Sequence, residues 1–79
     1  MRIPRSVSGK QLARALEQVG YQITRQTGSH MRLTCNEPNQ HHITIPNHDS
    51  IRIGTLSAII SDVANNLGIP KDELIRKLF

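Results

Sequence analysis

Cysteine and aromatic side chains are scarce in this chain. Its 79 residues hold one cysteine, Cys35, one tyrosine, Tyr21, one phenylalanine, Phe79, and no tryptophan. A single thiol cannot close an internal disulfide, and alone it cannot make a cysteine-based zinc site. Secreted disulfide scaffolds and zinc fingers are excluded on that count, and a reducing cytoplasm is the expected compartment. No apolar stretch nears the ~20 residues of a membrane span, so no membrane association is expected. No apolar run of a secretory leader opens the chain. At this length only about 60% of the unfolded surface can be buried, so residues 1–79 are read as one domain with one core.

Acids are scarce in one half. Residues 1–35 carry six bases (Arg2, Arg5, Lys10, Arg14, Arg25, Arg32) and one acid, Glu17, a local charge of +5. Residues 36–79 carry four bases and five acids, which leaves the whole chain at +4. An uneven basic charge of this kind suits a polyanionic partner, either nucleic acid or an acidic protein.

What is present is strongly patterned. Ser8 and Gln11 have the spacing of a capping box, and Leu12, Leu16 and Val19 then recur on one helical face, with Gly20 placed to end the helix. Arg2 to Val7 reads as an irregular lead-in. The period then changes to two. Tyr21 and Ile23 share a face of a first strand, and Met31, Leu33 and Cys35 alternate with His30, Arg32 and Thr34 in a second. Ile43 and Ile45 alternate with His42 and Thr44 in a third, which Pro46 ends. Thr27-Gly28 and Asn36 to Gln40 are the turns between them. A second helix is expected from Gly54-Thr55, capped by Thr55, with Leu56, Ile59, Ile60, Val63 and Leu67 inward and Gly68 at its end. Ile69-Pro70 begins a short third helix with Leu74, Ile75, Leu78 and Phe79 on its apolar side. The order α-β-β-β-α-α predicts an α+β fold, helices on one face of a three-stranded antiparallel sheet, as in double-stranded RNA-binding domains.

Gly28-Ser29-His30 is the segment most suited to chemistry. Gly28 permits a tight turn, and His30 points away from Met31, Leu33 and Cys35, onto the polar face. Arg32 shares that face about 7 Å along the strand. An imidazole moves a proton near neutral pH and a guanidinium grips phosphate oxygens, a pairing suited to cutting a phosphodiester. RNA supplies its own nucleophile, the 2′-hydroxyl, so no metal or cofactor is called for. Lys10, in the first helical turn, is a second candidate phosphate contact, and His48, in the loop after the third strand, could border His30 or His42. His41 and His42 are neighbours in a strand and point to opposite faces, a poor arrangement for sharing a metal. Cys35 falls on the apolar face, where a small core residue is expected.

Four ordered blocks carry a further resemblance: Ser8-Gly9-Lys10 with its helix to Gly20-Tyr21; Arg25-Gln26-Thr27-Gly28-Ser29-His30; Ile43-Thr44-Ile45-Pro46-Asn47-His48; and Gly54-Thr55-Leu56 with Ile59-Ile60. Over about residues 8–68 they resemble the HicA (YcfA-like) toxins of HicA–HicB toxin–antitoxin systems. Met31 departs from the pattern, which often has an aromatic or a second histidine there. The resemblance implies a fold like a double-stranded RNA-binding domain and a metal-independent ribonuclease, an mRNA interferase that arrests growth. It implies His30 as the catalytic histidine and a HicB-type antitoxin that masks this face. Arg32, Lys10, Gly28, Ser29 and His48 as RNA contacts rest on side-chain direction and charge. The alternative expectation is a non-catalytic RNA-binding or protein-interaction module of the same fold.

Overall fold

The computed structural model describes residues 3–4, 6–37 and 39–79. Its elements are α1 (Gly9–Glu17), β1 (Gln22–Gln26), β2 (His30–Cys35), β3 (His41–Pro46), α2 (Ile53–Leu67) and α3 (Lys71–Leu78). The strands form one antiparallel sheet in the order β1-β2-β3. The expected α+β architecture and element order are therefore present. Arg2 and Arg5, in the expected lead-in, lie outside the described residues.

Local sequence chemistry accounts for three of the helix ends. The Ser8 hydroxyl accepts from the Gln11 amide at 3.0 Å and the Gln11 side chain accepts from the Ser8 amide at 2.8 Å, a complete capping box. Gly20 and Gly68 have φ of 101° and 70°, and are the only described residues in left-handed backbone. The expected start of α2 is corrected. The helix opens at Ile53 after an extended Arg52, no side chain caps it, and Thr55 lies exposed within its first turn. The reason is tertiary. Ile51 is buried and its amide donates to the Val7 carbonyl at 2.8 Å, which pins the chain two residues before the helix begins. Phe79 is also corrected. It is exposed, whereas Leu74, Ile75 and Leu78 are buried.

The core lies between sheet and helices. Leu12 and Leu16 of α1, Met31, Leu33 and Cys35 of β2, Ile43 and Ile45 of β3, and Leu56, Ile60 and Val63 of α2 are all buried. Burying each large side chain contributes about 1.5–3 kcal/mol, which a chain of this size needs from nearly every apolar position.

β1 breaks its alternation. Ile23 pairs with Leu33 but Arg25 pairs with Arg32, so Thr24 is an extra residue, a β-bulge. Ile23 and Gln26, three residues apart, accordingly both face α1, bordering a shallow cleft with Lys10, Ala13 and Arg14. Strict alternation would have placed Arg25, not Gln26, on that side.

Candidate functional site

The face of the sheet opposite the helices carries His30, Arg32 and Thr34 of β2, with Thr24 and Arg25 of β1 and His42 and Thr44 of β3. None of these is a carboxylate. Thr44 lies opposite Arg32 and His42 opposite Thr34. Hydroxyls knit the middle of the face. Thr24 Oγ1 and Thr34 Oγ1 share a hydrogen bond at 2.9 Å, and Thr34 Oγ1 bonds His42 Nδ1 at 2.8 Å. That leaves the His42 Nε2 toward solvent. The alternation that places His30 also places His42 on this face, whereas the Thr24–Thr34 pair is not read from it.

His30 is the first residue of β2 and is exposed. A short hairpin loop, Gly28-Ser29, delivers it, closed by the Thr27 amide donating to the His30 carbonyl at 2.9 Å. The Ser29 hydroxyl bonds His30 Nδ1 at 3.0 Å. The ring is thus held from one side, and Nε2 is free to meet a substrate. Ser29 acts here on the histidine, a role that direct phosphate contact did not anticipate. Gly28 is corrected in its reason. Its φ is not positive and a Cβ there would meet nothing within 4 Å, so the turn does not demand glycine.

Three segments converge at the His30 end of the sheet. The Asn47 amide donates to the Ser29 carbonyl at 2.9 Å, and the Gly9 amide, at the start of α1, donates to the His48 carbonyl at 2.9 Å. Lys10 and His48 therefore stand at the same end as His30, but the fold separates their roles. Lys10 borders the α1–β1 cleft with Ile23, Gln26 and Met31, on the helix side of the sheet. The His48 side chain makes no hydrogen bond to His30 or His42 among the described residues. Gly9, named from sequence only within the Ser8-Gly9-Lys10 block, has a packing role that the sequence does not show. It is buried, and a Cβ on it would collide with the Pro46 carbonyl oxygen and press on Met31 Cε and Asn47 Cα, at 3.0 and 3.1 Å.

His41 belongs to the other layer. Its Nδ1 bonds the Tyr21 hydroxyl at 2.6 Å and its Nε2 lies 3.3 Å from Asp62 Oδ1, while Asn66 Nδ2 donates to the Tyr21 oxygen at 3.1 Å. One neutral tautomer satisfies all three. Asn66 donates to Tyr21, Tyr21 to Nδ1, and the Nε2 proton to Asp62. Tyr21 is fully buried, and that burial raises its phenol above its ordinary 10.0. A hydroxyl sealed from solvent cannot meet a macromolecular substrate, so this Asp-His-Tyr row ties β3 to α2. Cys35 is buried, its thiol donating to the Glu37 carbonyl at 2.8 Å. Among the described residues no group of three His, Cys, Asp or Glu side chains converges as a metal site would require.

No curated protein and no solved structure gives a significant match to the chain. The family model of the HicA toxin of bacterial toxin–antitoxin systems matches residues 9–64, from the buried glycine of α1 to the inward face of α2. That span covers well over half of the sequence and includes the hairpin that presents His30, and the chain accordingly belongs to the HicA toxin family.

Proposed function

We propose that this toxin is an endoribonuclease that cleaves mRNA by transesterification, with His30 as its catalytic group and no metal in the reaction. The observation that carries the reading is an exposed imidazole, fixed at Nδ1 by Ser29, at the end of a polar face without carboxylates. With Nδ1–H donating to the Ser29 oxygen, the Nε2 lone pair takes the proton of a ribose 2′-hydroxyl. The 2′-oxygen attacks the adjacent phosphorus and the bond to the 5′-oxygen breaks. The products are a 2′,3′-cyclic phosphate and a 5′-hydroxyl, with no water consumed. Ser29 accepts from Nδ1–H whether the ring is neutral or cationic, so the same contact holds His30 before and after it takes the proton. Protonation of the leaving oxygen falls to solvent at this open face or to His48, whose neighbour Asn47 is bonded to the Ser29 carbonyl at 2.9 Å. Arg32 steadies the phosphate, and the bare Gly28 leaves the hairpin backbone open to a sugar-phosphate strand.

The partner is a HicB-type antitoxin whose acidic surface covers β2 and the basic half of the chain. The toxin acts in the cytoplasm, where mRNA is. The decisive experiment compares wild-type protein with His30→Ala on mRNA, with and without chelator. The expected result is cleavage by wild type in both conditions and none by His30→Ala, whose folding is unchanged within the ~0.5 kcal/mol of a surface substitution. Cleavage by His30→Ala at the wild-type rate, or cleavage lost in chelator and restored by a divalent ion, would overturn the mechanism.

A further inference from the structure

We propose that Arg25 and Arg32 form a single clamp for one RNA backbone phosphate beside His30, and that the β1 bulge exists to build it. The inference rests on the endoribonuclease reading and adds to it a residue, Arg25, that lies on the other strand. The register carries the argument. Up to Ile23 the strands pair so that Arg25 would fall opposite Met31, on the side of the helices. One extra residue, Thr24, shifts the pairing, and Arg25 comes to lie directly opposite Arg32 instead. Thr24 itself stays on the polar face, bonded to Thr34 at 2.9 Å and to the Arg32 carbonyl at 3.4 Å, so the bulge is fastened on both sides.

Two guanidinium groups are thereby set on directly opposed positions, where like charges disfavour the sheet. Both residues are exposed, and among the described residues neither has a carboxylate within ion-pair distance. The repulsion is left for a ligand to relieve. A phosphodiester fits the gap. Directly opposed Cβ atoms lie about 4.5–5.5 Å apart, so two forks can converge on the two free oxygens of one phosphate. His30, about 7 Å from Arg32 along β2, then stands at the neighbouring ribose. A carboxylate of an acidic protein is the competing occupant. The phosphate is favoured because the pair shares its face with His30 and a row of hydroxyls suited to ribose and phosphate oxygens.

The test uses the His30→Ala protein, so that RNA is bound without being cut. Its binding to a labelled single-stranded RNA is measured over a salt series for Arg25→Gln, Arg32→Gln, the double variant, and Arg76→Gln on α3 as a control. Each single variant is expected to bind about tenfold more weakly, and the double variant little weaker than either, because both groups serve one phosphate. The double variant's salt slope should flatten by about 0.7, one phosphate on a single strand, and Arg76→Gln should match the parent. Without RNA, relief of the repulsion should raise the melting temperature of Arg25→Gln by about 2 °C at low salt. Parent-like RNA binding by Arg25→Gln overturns the clamp, and so does a fully multiplicative loss in the double variant. Weakened binding to an acidic antitoxin with RNA binding intact would reassign the pair to protein carboxylates. If the wild-type protein leaves RNA intact and the His30→Ala protein does not bind it, the underlying reading fails. If RNA is cut and only the arginine variants behave as parent, the clamp alone fails.

Discussion

Gly9→Ala is the perturbation whose outcome depends most directly on how this fold is assembled. By propensity it should help, because alanine is favoured over glycine within a helix by about 0.8–1 kcal/mol. Gly9 is the first residue of α1 and does not have positive φ, so nothing in its backbone forbids a side chain. The neighbours forbid it. The added Cβ would overlap the Pro46 carbonyl oxygen, a backbone atom that cannot swing aside, and would also crowd Asn47 Cα at 3.1 Å. Overpacking of this kind costs about 1–3 kcal/mol. Moving α1 away to relieve it loses the Gly9 amide's bond to the His48 carbonyl, at 2.9 Å, for about 1–3 kcal/mol more. Against the propensity gain, the net expectation is a loss of about 2–3 kcal/mol, roughly 10–20 °C in melting temperature for a domain of this size. Gly54→Ala is the matched control. That glycine also sits in a helix without positive φ, but a Cβ there meets nothing within 4 Å. It should stabilise by about 0.4–1 kcal/mol. Both substitutions belong in the His30→Ala background, compared by thermal and urea unfolding. A Gly9→Ala protein melting at or above its parent would refute the packing argument, and a destabilised Gly54→Ala would refute the use of propensity as its baseline.

Three further outcomes follow. Tyr21, the chain's one tyrosine, should ionise above its ordinary 10.0 in the folded protein, followed by ultraviolet difference absorbance. Its raised folded value means that stability is intact below pH 10 and is lost as pH climbs through that raised value, because the unfolded chain gives up its proton first. Tyr21→Phe should remove this alkaline component and cost about 1–3 kcal/mol at neutral pH, by stranding His41 Nδ1 and the Asn66 amide; an unchanged alkaline profile in Tyr21→Phe would remove Tyr21 as its source. Ser29→Ala should keep the fold and RNA affinity but slow single-turnover cleavage, with Ser29→Thr restoring part of the rate; equal rates for all three would show that the 3.0 Å contact does not position His30. Antitoxin association should slow as salt rises, since opposite charges steer encounter, and a rate flat from low to physiological salt would contradict an acidic partner surface.

What could be read from sequence was local. Ser8 and Gln11 are three residues apart, Gly20 and Gly68 each end a helix by their own backbone freedom, and Met31, Leu33 and Cys35 declare their face by alternation. The exposure of His30 and Arg32 follows from the same alternation. What sequence could not show depends on partners far along the chain. Thr55 reads as a better cap than Arg52, yet Ile51 is held by Val7, so the helix starts where that tether ends. The bulge leaves no trace in β1, because Thr24, Arg25 and Gln26 are all polar and none of them declares its face. It is set by the hairpin register on one side and the Leu33 pairing on the other. Gly9 and the Tyr21–His41–Asp62–Asn66 row are likewise tertiary, joining residues up to 45 positions apart.

The adjacent histidines of β3 show what register decides that composition cannot. His41 and His42 are chemically identical and one peptide apart, yet the pleat sends them to opposite faces. One is drawn into a row with a buried phenol and an aspartate, where its hydrogen bonds hold β3 against α2. The other stands on the polar face with its Nδ1 bonded to Thr34. The same division runs through the basic residues. Lys10 and Arg14 line the cleft beside α1, whereas Arg25 and Arg32 share the face that carries His30. Among the described residues the bases of this half are therefore not a uniform patch but two populations on opposite sides of one sheet, Lys10 and Arg14 on one and Arg25 and Arg32 on the other. On the polar side no side chain is part of the core, so the whole face can be given over to an anionic strand without loss of stability. A partner that covered that one face would not have to unfold or distort the domain beneath.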